Sequence, residues 1–291
     1  MQLTPVDREP ILLRGLGLNP TLIELGGLGA MRFILRSRVR ALALIAMALV
    51  AAPVVALAQT DEIQVYDGGL AAPGKFNLTL HNNYIARGAT TPAFPGALIA
   101  DKSFNGVPEW AYGVTDWFEA GLYLPVYSIS KHRGATLDSM KLRALFAVPH
   151  ADDRTFFYGA NFEFSYNGKN WDERRFTSEI RPIIGLHLHP VDLIFNPILD
   201  NSWQGGFQSL EFAPAARIAY NVSSKSALAI EEYSDYGPLR GFFPGSSQAH
   251  AIFAVVDHSS KAVDIEFGVG VGVTGATDKW TLKLILSRDL N

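Results

Sequence analysis

The run Met140-Lys141-Leu142-Arg143-Ala144-Leu145-Phe146-Ala147-Val148 decides the fold. Met140, Leu142, Ala144, Phe146 and Val148 share one register while Lys141 and Arg143 take the other, the period of two of a strand with one apolar side. The next segment repeats the pattern, with Phe156, Tyr158, Ala160, Phe162, Phe164 and Tyr166 opposing Phe157, Gly159, Asn161, Glu163 and Ser165. Leu210, Phe212, Pro214, Ala216, Ile218 and Tyr220 oppose Glu211 and Arg217. Val263, Ile265, Phe267, Val269 and Val271 oppose Asp264 and Glu266, and Trp280, Leu282, Leu284 and Leu286 oppose Lys283. In all five segments every charge lies on a single face.

Extended along the chain, this reading predicts twelve strands, near 75–86, 107–115, 117–128, 138–148, 155–166, 176–189, 191–200, 208–220, 225–235, 248–257, 261–273 and 279–287. Most are longer than the ~5 to 6 residues usual in soluble proteins and match the ~9 to 11 of tilted membrane strands. Short links (114–116, 149–154, 189–191, 221–224, 257–260) alternate with mostly longer ones (87–106, 130–136, 168–175, 201–206, 236–247). Short turns at one end and longer loops at the other are the pattern of an outer-membrane barrel. About eight strands already enclose just enough room for side chains, so the apolar face of a twelve-stranded closed sheet must look outward, where only lipid can accept it. Lipid also forbids open edges, so the sheet should close. Tyr84, Phe118, Tyr166, Tyr220 and Trp280, outward near strand ends, suit interfacial girdles. The fold class is therefore all-β, a single antiparallel transmembrane barrel with short periplasmic turns, longer extracellular loops and both termini periplasmic. A secreted sandwich with a dry core would give the same alternation. Strand length, loop asymmetry and the low charge favour the barrel. Pro125, Pro182, Pro197 and Pro214 fall inside expected strands, where each deletes a ladder donor, and mark bulges or shifted boundaries.

Only 18% of the 291 residues are charged, against 48% hydrophobic, and 26 glycines with 18 Phe, 10 Tyr and 5 Trp favour strands and turns. The absence of cysteine excludes disulfides, thiolate metal sites and a cysteine nucleophile. From Met31, Arg32, Arg36, Arg38 and Arg40 precede an apolar run from Ala41 to Ala58 that ends Ala56-Leu57-Ala58, the parts of a secretory signal peptide cleaved before Gln59. A membrane-spanning helix is the alternative, which Pro53, the alanine content and the small-residue ending disfavour. Residues 1–30 read as upstream of the start in use or as a non-structured leader, 31–58 as the signal and 59–291 as the barrel. Without residues 1–58 the chain keeps 19 basic and 25 acidic residues, a net charge of −6, which gives no reason to expect a nucleic-acid partner.

Two stretches carry a resemblance. The first runs from Pro108 to Leu122 and contains Trp110, Tyr112, Gly113, Thr115, Asp116 and Trp117. The second runs from Phe253 to Leu286 and contains Val255-Val256-Asp257, Phe267-Gly268-Val269-Gly270-Val271-Gly272 and Thr277-Asp278-Lys279-Trp280. Together they resemble the bacterial outer-membrane family of MetA-pathway-of-phenol-degradation proteins, through loose turn and strand patterns spread over 75–287. The resemblance implies a barrel with a transport role, for instance toward hydrophobic or aromatic compounds, and no defined binding residue.

Chemical motifs are sparse. Gly268, Gly270 and Gly272 lack the third glycine of a dinucleotide loop, because Val273 stands in its place, and they read as close packing in a strand. His187 and His189 share a strand face, which suits a metal ion, but no third ligand is identifiable. A barrel esterase would need serine and histidine within hydrogen-bond reach and a third group orienting the histidine. The seven histidines offer partners, yet no G-x-S-x-G run exists, and Gly245-Ser246-Ser247 sits in a loop. No enzyme, catalytic residue, cofactor or metal is therefore expected.

The inward registers carry Glu119, Lys141, Arg143, Glu163, Glu179, Arg181, Glu211, Arg217, Asp264, Glu266 and Lys283, the expected lumen lining. Mixed signs there can pair across strands and brace the wall, or form a selectivity ring. The function that follows is a passive channel or transporter for small solutes in the bacterial outer membrane, with lipid and solute as partners. The alternatives are a non-conducting structural or surface-binding barrel and a barrel hydrolase. The loop Arg87–Gly106, with Pro92, Phe94 and Pro95, is the candidate plug.

Overall fold

The computed structural model describes residues 62–290, so the expected leader and signal peptide lie outside the described residues. Six strands are continuous: β1 Phe76–Arg87, β2 Ser103–Gly113, β3 Phe118–Ser130, β4 Gly134–Ala147, β5 Phe156–Asn167 and β6 Phe176–His187. β7 comes in two pieces, Val191–Asn196 and Leu199–Ser202, and β8 in two, Glu211–Phe212 and Ala215–Ser223. β9 spans Ser226–Asp235 with a short continuation Gly237–Pro238, followed by β10 Ala249–His258, β11 Asp264–Gly272 and β12 Trp280–Asp289. Each strand pairs antiparallel with its sequence neighbours, and β1 pairs with β12 from Asn77↔Asp289 to Arg87↔Trp280, so the twelve-stranded sheet closes on itself. Closure leaves no open edge to present unpaired backbone to lipid.

The apolar register faces out. Leu142 is 59% exposed and Ile230 61%, whereas Glu231 is fully covered and Lys283 is 1% exposed. This inversion of the soluble-protein rule follows when hydrocarbon is the outer solvent. Tyr84, Tyr166, Tyr220 and Trp280 are exposed on that outer face.

Several boundaries differ from the sequence reading. β2 begins at Ser103 and not near 107, and β4 begins at Gly134 and not near 138, so the expected loop 130–136 shrinks to the turn 131–133. Both extensions are polar or glycine-rich and lack the apolar alternation that marks a strand in a sequence. The neighbouring strands extend them by supplying partners, as in Ser128↔Thr136 and Ser130↔Gly134.

The prolines mark irregularities. Pro125 lies at a register shift between β3 and β4, while Pro197 and Pro214 sit in the breaks of β7 and β8. Pro182 stays within β6, opposite Ala160. The pairs Ile180↔Leu199 and Ile184↔Phe195 place Pro182 opposite Pro197. The pairs Asn196↔Ala215 and Leu199↔Phe212 place Pro197 opposite Pro214. Three donorless residues thus share one row across three adjacent strands, and between β6 and β7 the ladder is interrupted on that row. Beside it Ala213 N–H still donates to the Ile198 carbonyl (3.1 Å).

The glycines of β11 act by absence of a side chain. A Cβ at Gly270 would run into the Phe253 ring, and one at Gly268 into the Lys283 side chain. Phe253 and Lys283 can therefore lie across β11 on the inner wall. Gly270→Val is expected to lower barrel stability by about 1 to 3 kcal/mol through overpacking. The readout is the temperature at which SDS converts folded to unfolded mobility, and an unchanged transition would contradict this packing role.

Candidate functional site

The interior of the barrel holds a segment of the chain itself. Residues 62–75 enter from the end that carries the short turns: Gly74 N–H donates to the Gly113 carbonyl (2.7 Å) and Ala71 N–H to Glu119 Oε2. The segment then climbs to mid-barrel, where Tyr66 and Asn196 exchange two bonds, Tyr66 N–H to Asn196 Oδ1 (2.7 Å) and Asn196 Nδ2 to the Tyr66 carbonyl (3.0 Å). Above it, Arg181 Nη1 donates to the Gln64 carbonyl (3.0 Å) and Lys283 Nζ to the Ile63 carbonyl (3.2 Å). Wall side chains thus take the place of a neighbouring strand and satisfy the buried backbone. Val65 and Tyr66 pack into an inner apolar cluster with Leu145, Phe157, Ile183, Ile194 and Ile198. A twelve-stranded lumen too wide for wall side chains alone is filled here by this tail.

The expected plug, Arg87–Gly106, has a smaller part. Leu98 packs with Val107, Tyr123, Val126 and Trp171 against one side of the lumen, and Gly88–Thr91 border the open space. The correction has a clear origin: residues 62–75 carry no periodicity, and their place is set entirely by partners distant in sequence.

Most of the lumen charges are paired. Arg143 Nη2 meets Glu109 Oε1 (2.7 Å) and also Glu119, while His81 Nε2 bonds Glu109 Oε2 (3.0 Å). Tyr66 and Tyr123 join hydroxyls at 2.6 Å beside them. Lys141 reaches Glu163 (3.5 Å). Arg181 pairs with Glu179 (2.6 Å) and Glu62 (3.5 Å), and its guanidinium lies 4.4 Å from the centre of the Tyr66 ring. On the opposite wall Lys283 bridges Glu231 and Glu266, and Arg217 contacts Glu231, Asp257 and Glu266. Glu211, near the loop end, pairs with Arg174 (3.3 Å). Asp264 holds an inward register but sits exposed at the turn end, where it accepts from Ser260 N–H (3.2 Å).

Glu62, His81, Glu109, Glu231 and Asp257 belong to these networks and were not among the expected lining residues. For His81 a signal existed: Thr79, His81 and Asn83 alternate with Leu78, Leu80 and Tyr84 along β1, and all three are buried. His187 Nδ1 bonds Asp192 Oδ1 (2.8 Å) and its ring stacks on Phe157, while His189 falls in the 188–190 turn. Among the described residues no group of three metal-ligating side chains converges.

Above the plug, a cavity of about 700 Å³ reaches the loop end. Glu62, Ile63 and Gln64 form its floor, and the 88–91, 171–174 and 275–279 segments form its rim. Its lining carries Glu62, Glu163, Asp172, Glu179, Asp200, Glu211, Asp235 and Asp278 against Arg87, Lys141, Arg174, Arg181 and Lys279, an acidic excess. At the rim Asp278 accepts from Ala89 N–H (2.9 Å), tying two loops together. Burial holds its carboxyl above the usual range, against the lowering effect of that bond, and the nearby Asp101 adds to the rise.

No family model matches the chain, and no curated protein matches it by sequence. The KdgM porin in complex with disordered oligogalacturonate (7% identity, TM-score 0.47, 74% of this chain and 99% of that one) and the outer membrane protein OprD from Pseudomonas aeruginosa (13%, 0.34, 74% and 65%) are more distant solved barrels. The fold is similar to that of the COG4313 outer membrane channel from Pseudomonas putida F1, at 14% identity and a TM-score of 0.53, over 79% of this chain and 100% of that one.

Proposed function

We propose that the protein is a passive channel for small solutes in the bacterial outer membrane, held shut from the periplasmic side by residues 62–75. The observation that carries the reading is the cavity of about 700 Å³ that opens among the loops and ends on Glu62–Gln64. A cavity lined by many charged side chains, lipid-suited outer walls and the asymmetry of turns and loops agree with it. The acidic excess of the lining favours polar and cationic solutes over the hydrophobic or aromatic compounds implied by the family resemblance. A non-conducting barrel is the second reading, favoured by the segment that fills the lower lumen.

Liposome swelling with graded neutral and charged solutes separates the two. Swelling with small solutes supports the channel, and none with any solute supports the structural barrel. Charge selectivity is the finer test. Arg181 lines the cavity and Arg143 lies below it beside the plug, so Arg181→Gln should raise cation preference in planar-bilayer reversal potentials more than Arg143→Gln does. Unchanged selectivity in both variants argues against a role for these charges in permeation.

A further inference from the structure

Four carboxylates stand side by side along the inner wall of the cavity. The register sets Glu163 of β5 opposite Glu179 of β6, Glu179 opposite Asp200 of β7, and Asp200 opposite Glu211 of β8, so each faces the next across a ladder. Like charges directly opposite one another repel. Along most of the row a cation relieves the repulsion: Lys141 at Glu163 (3.5 Å), Arg181 at Glu179 (2.6 Å) and Arg174 at Glu211 (3.3 Å). Asp200 is the exception. Among the described residues its carboxylate has neither a hydrogen bond nor an ion pair, and the strongest charges acting on it are Glu179, Asp235 and Glu211 against Arg181 alone.

A second acid is short of donors for a separate reason. Glu62 forms part of the cavity floor and is 5% exposed, yet neither of its oxygens receives a hydrogen bond. Arg181, 3.5 Å away, is held at closer range by Glu179 and donates to the Gln64 carbonyl. A buried carboxylate without donors is costly, and the N–H groups of a cationic ligand would remove that cost. Beside these two acids the lining is apolar. Ile63 adjoins Glu62, Ile198 lies two residues before Asp200, and Tyr233 and Phe253 border the same space.

The chemistry of the ligand follows from that arrangement. A metal ion fits poorly, because no three ligating side chains converge among the described residues. A small monovalent cation would satisfy one carboxylate and leave the other as it was. An ammonium brings three donors and a compact charge, and a methylene chain suits apolar walls. We propose that the cavity binds linear aliphatic diamines, with one ammonium at Asp200, the other at Glu62 and the methylenes against Ile63 and Ile198. This rests on the channel reading and names the solute class of the same cavity.

The test is equilibrium dialysis of the full-length protein in detergent against labelled putrescine and cadaverine. Dialysis reads binding without permeation, so a barrel that binds but does not conduct faults the channel reading alone, and one that conducts without binding faults this proposal alone. Both diamines should bind. Pentylamine, with the same chain as cadaverine and a single ammonium, should bind at least about 10-fold more weakly, the loss of one charged hydrogen-bonded contact. Asp200→Asn and Glu62→Gln should each weaken cadaverine binding by about the same factor. Asp200→Asn removes one charge from a repelling row, so its heat-modifiable mobility should persist. Asp264→Asn, at the exposed turn end, should leave binding unchanged. Absence of diamine binding, equal affinity for cadaverine and pentylamine, displacement of cadaverine by equimolar Mg²⁺, or unchanged affinity in either Asp200→Asn or Glu62→Gln overturns the proposal.

Discussion

Removing residues 62–75 should raise single-channel conductance several-fold and convert brief openings into a steady open level. The segment fills the lower lumen, and the wall that remains when it leaves is polar: Asn196, Arg181, Glu119 and Lys283 all lose a backbone partner and gain water. Hydrated charges at a pore wall are compatible with ion passage, whereas the inner apolar cluster around Val65 and Tyr66 is not. The effect should be reversible. A synthetic peptide of residues 59–75 added to the periplasmic side should lower the conductance of the deleted protein, and addition to the other side should not. Heat-modifiability controls for folding, since the deletion spares all twelve strands. Conductance unchanged by the deletion would show that the segment does not close the path.

The largest effect on stability is expected from Lys283→Met. The ammonium is buried and sits between Glu231, which is wholly covered, and Glu266. Methionine has similar length and no charge, so the volume stays filled while two carboxylates lose a cation. Arg217 remains beside both, at 3.7 Å from Glu266, and compensates only in part. Breaking one partner of a buried ion network costs about 3 to 5 kcal/mol, far more than the net worth of an intact pair. The variant should lose heat-modifiable mobility at a markedly lower temperature. Replacing Glu231 by Gln in the same chain should recover part of the loss by removing the stranded charge. An unaltered transition in Lys283→Met would show that water reaches this wall freely and screens it.

The strands were legible because lipid imposes a strict rule on one face of each. Met140 to Val148 and Trp280 to Leu286 announce themselves by alternation, and the outward residues of β4 and β12 are those the period selects. What escaped the sequence has a common cause. Glu109 and Glu231 are visible as charges, but their partners Arg143 and Lys283 lie on other strands, and the pairing exists only once the sheet has closed. Residues 62–75 show no period, and their turn signals, Asp67-Gly68-Gly69 and Pro73-Gly74, mark bends without saying where the segment goes; its conformation is written in Asn196, Arg181 and Lys283. The loop after β1 drew attention through its prolines and Phe94, features of stiffness and not of placement. Ser234 and His250, 16 positions apart, meet because the β9–β10 register sets them opposite each other, a fact that no local motif carries.

The shared row of Pro182, Pro197 and Pro214 gives the cylinder a compliant sector. On this row the β6 to β7 contact has no ladder bond to stretch, and all three adjacent strands lack a donor there. Deformation of the hoop, whether from bilayer tension or from a bulky solute forcing its way upward, will therefore collect on one side, and the wall will go out of round there first. Because Asn196, which grips Tyr66, is the residue next to Pro197, the softest arc of the hoop is also the place where the stopper is fastened.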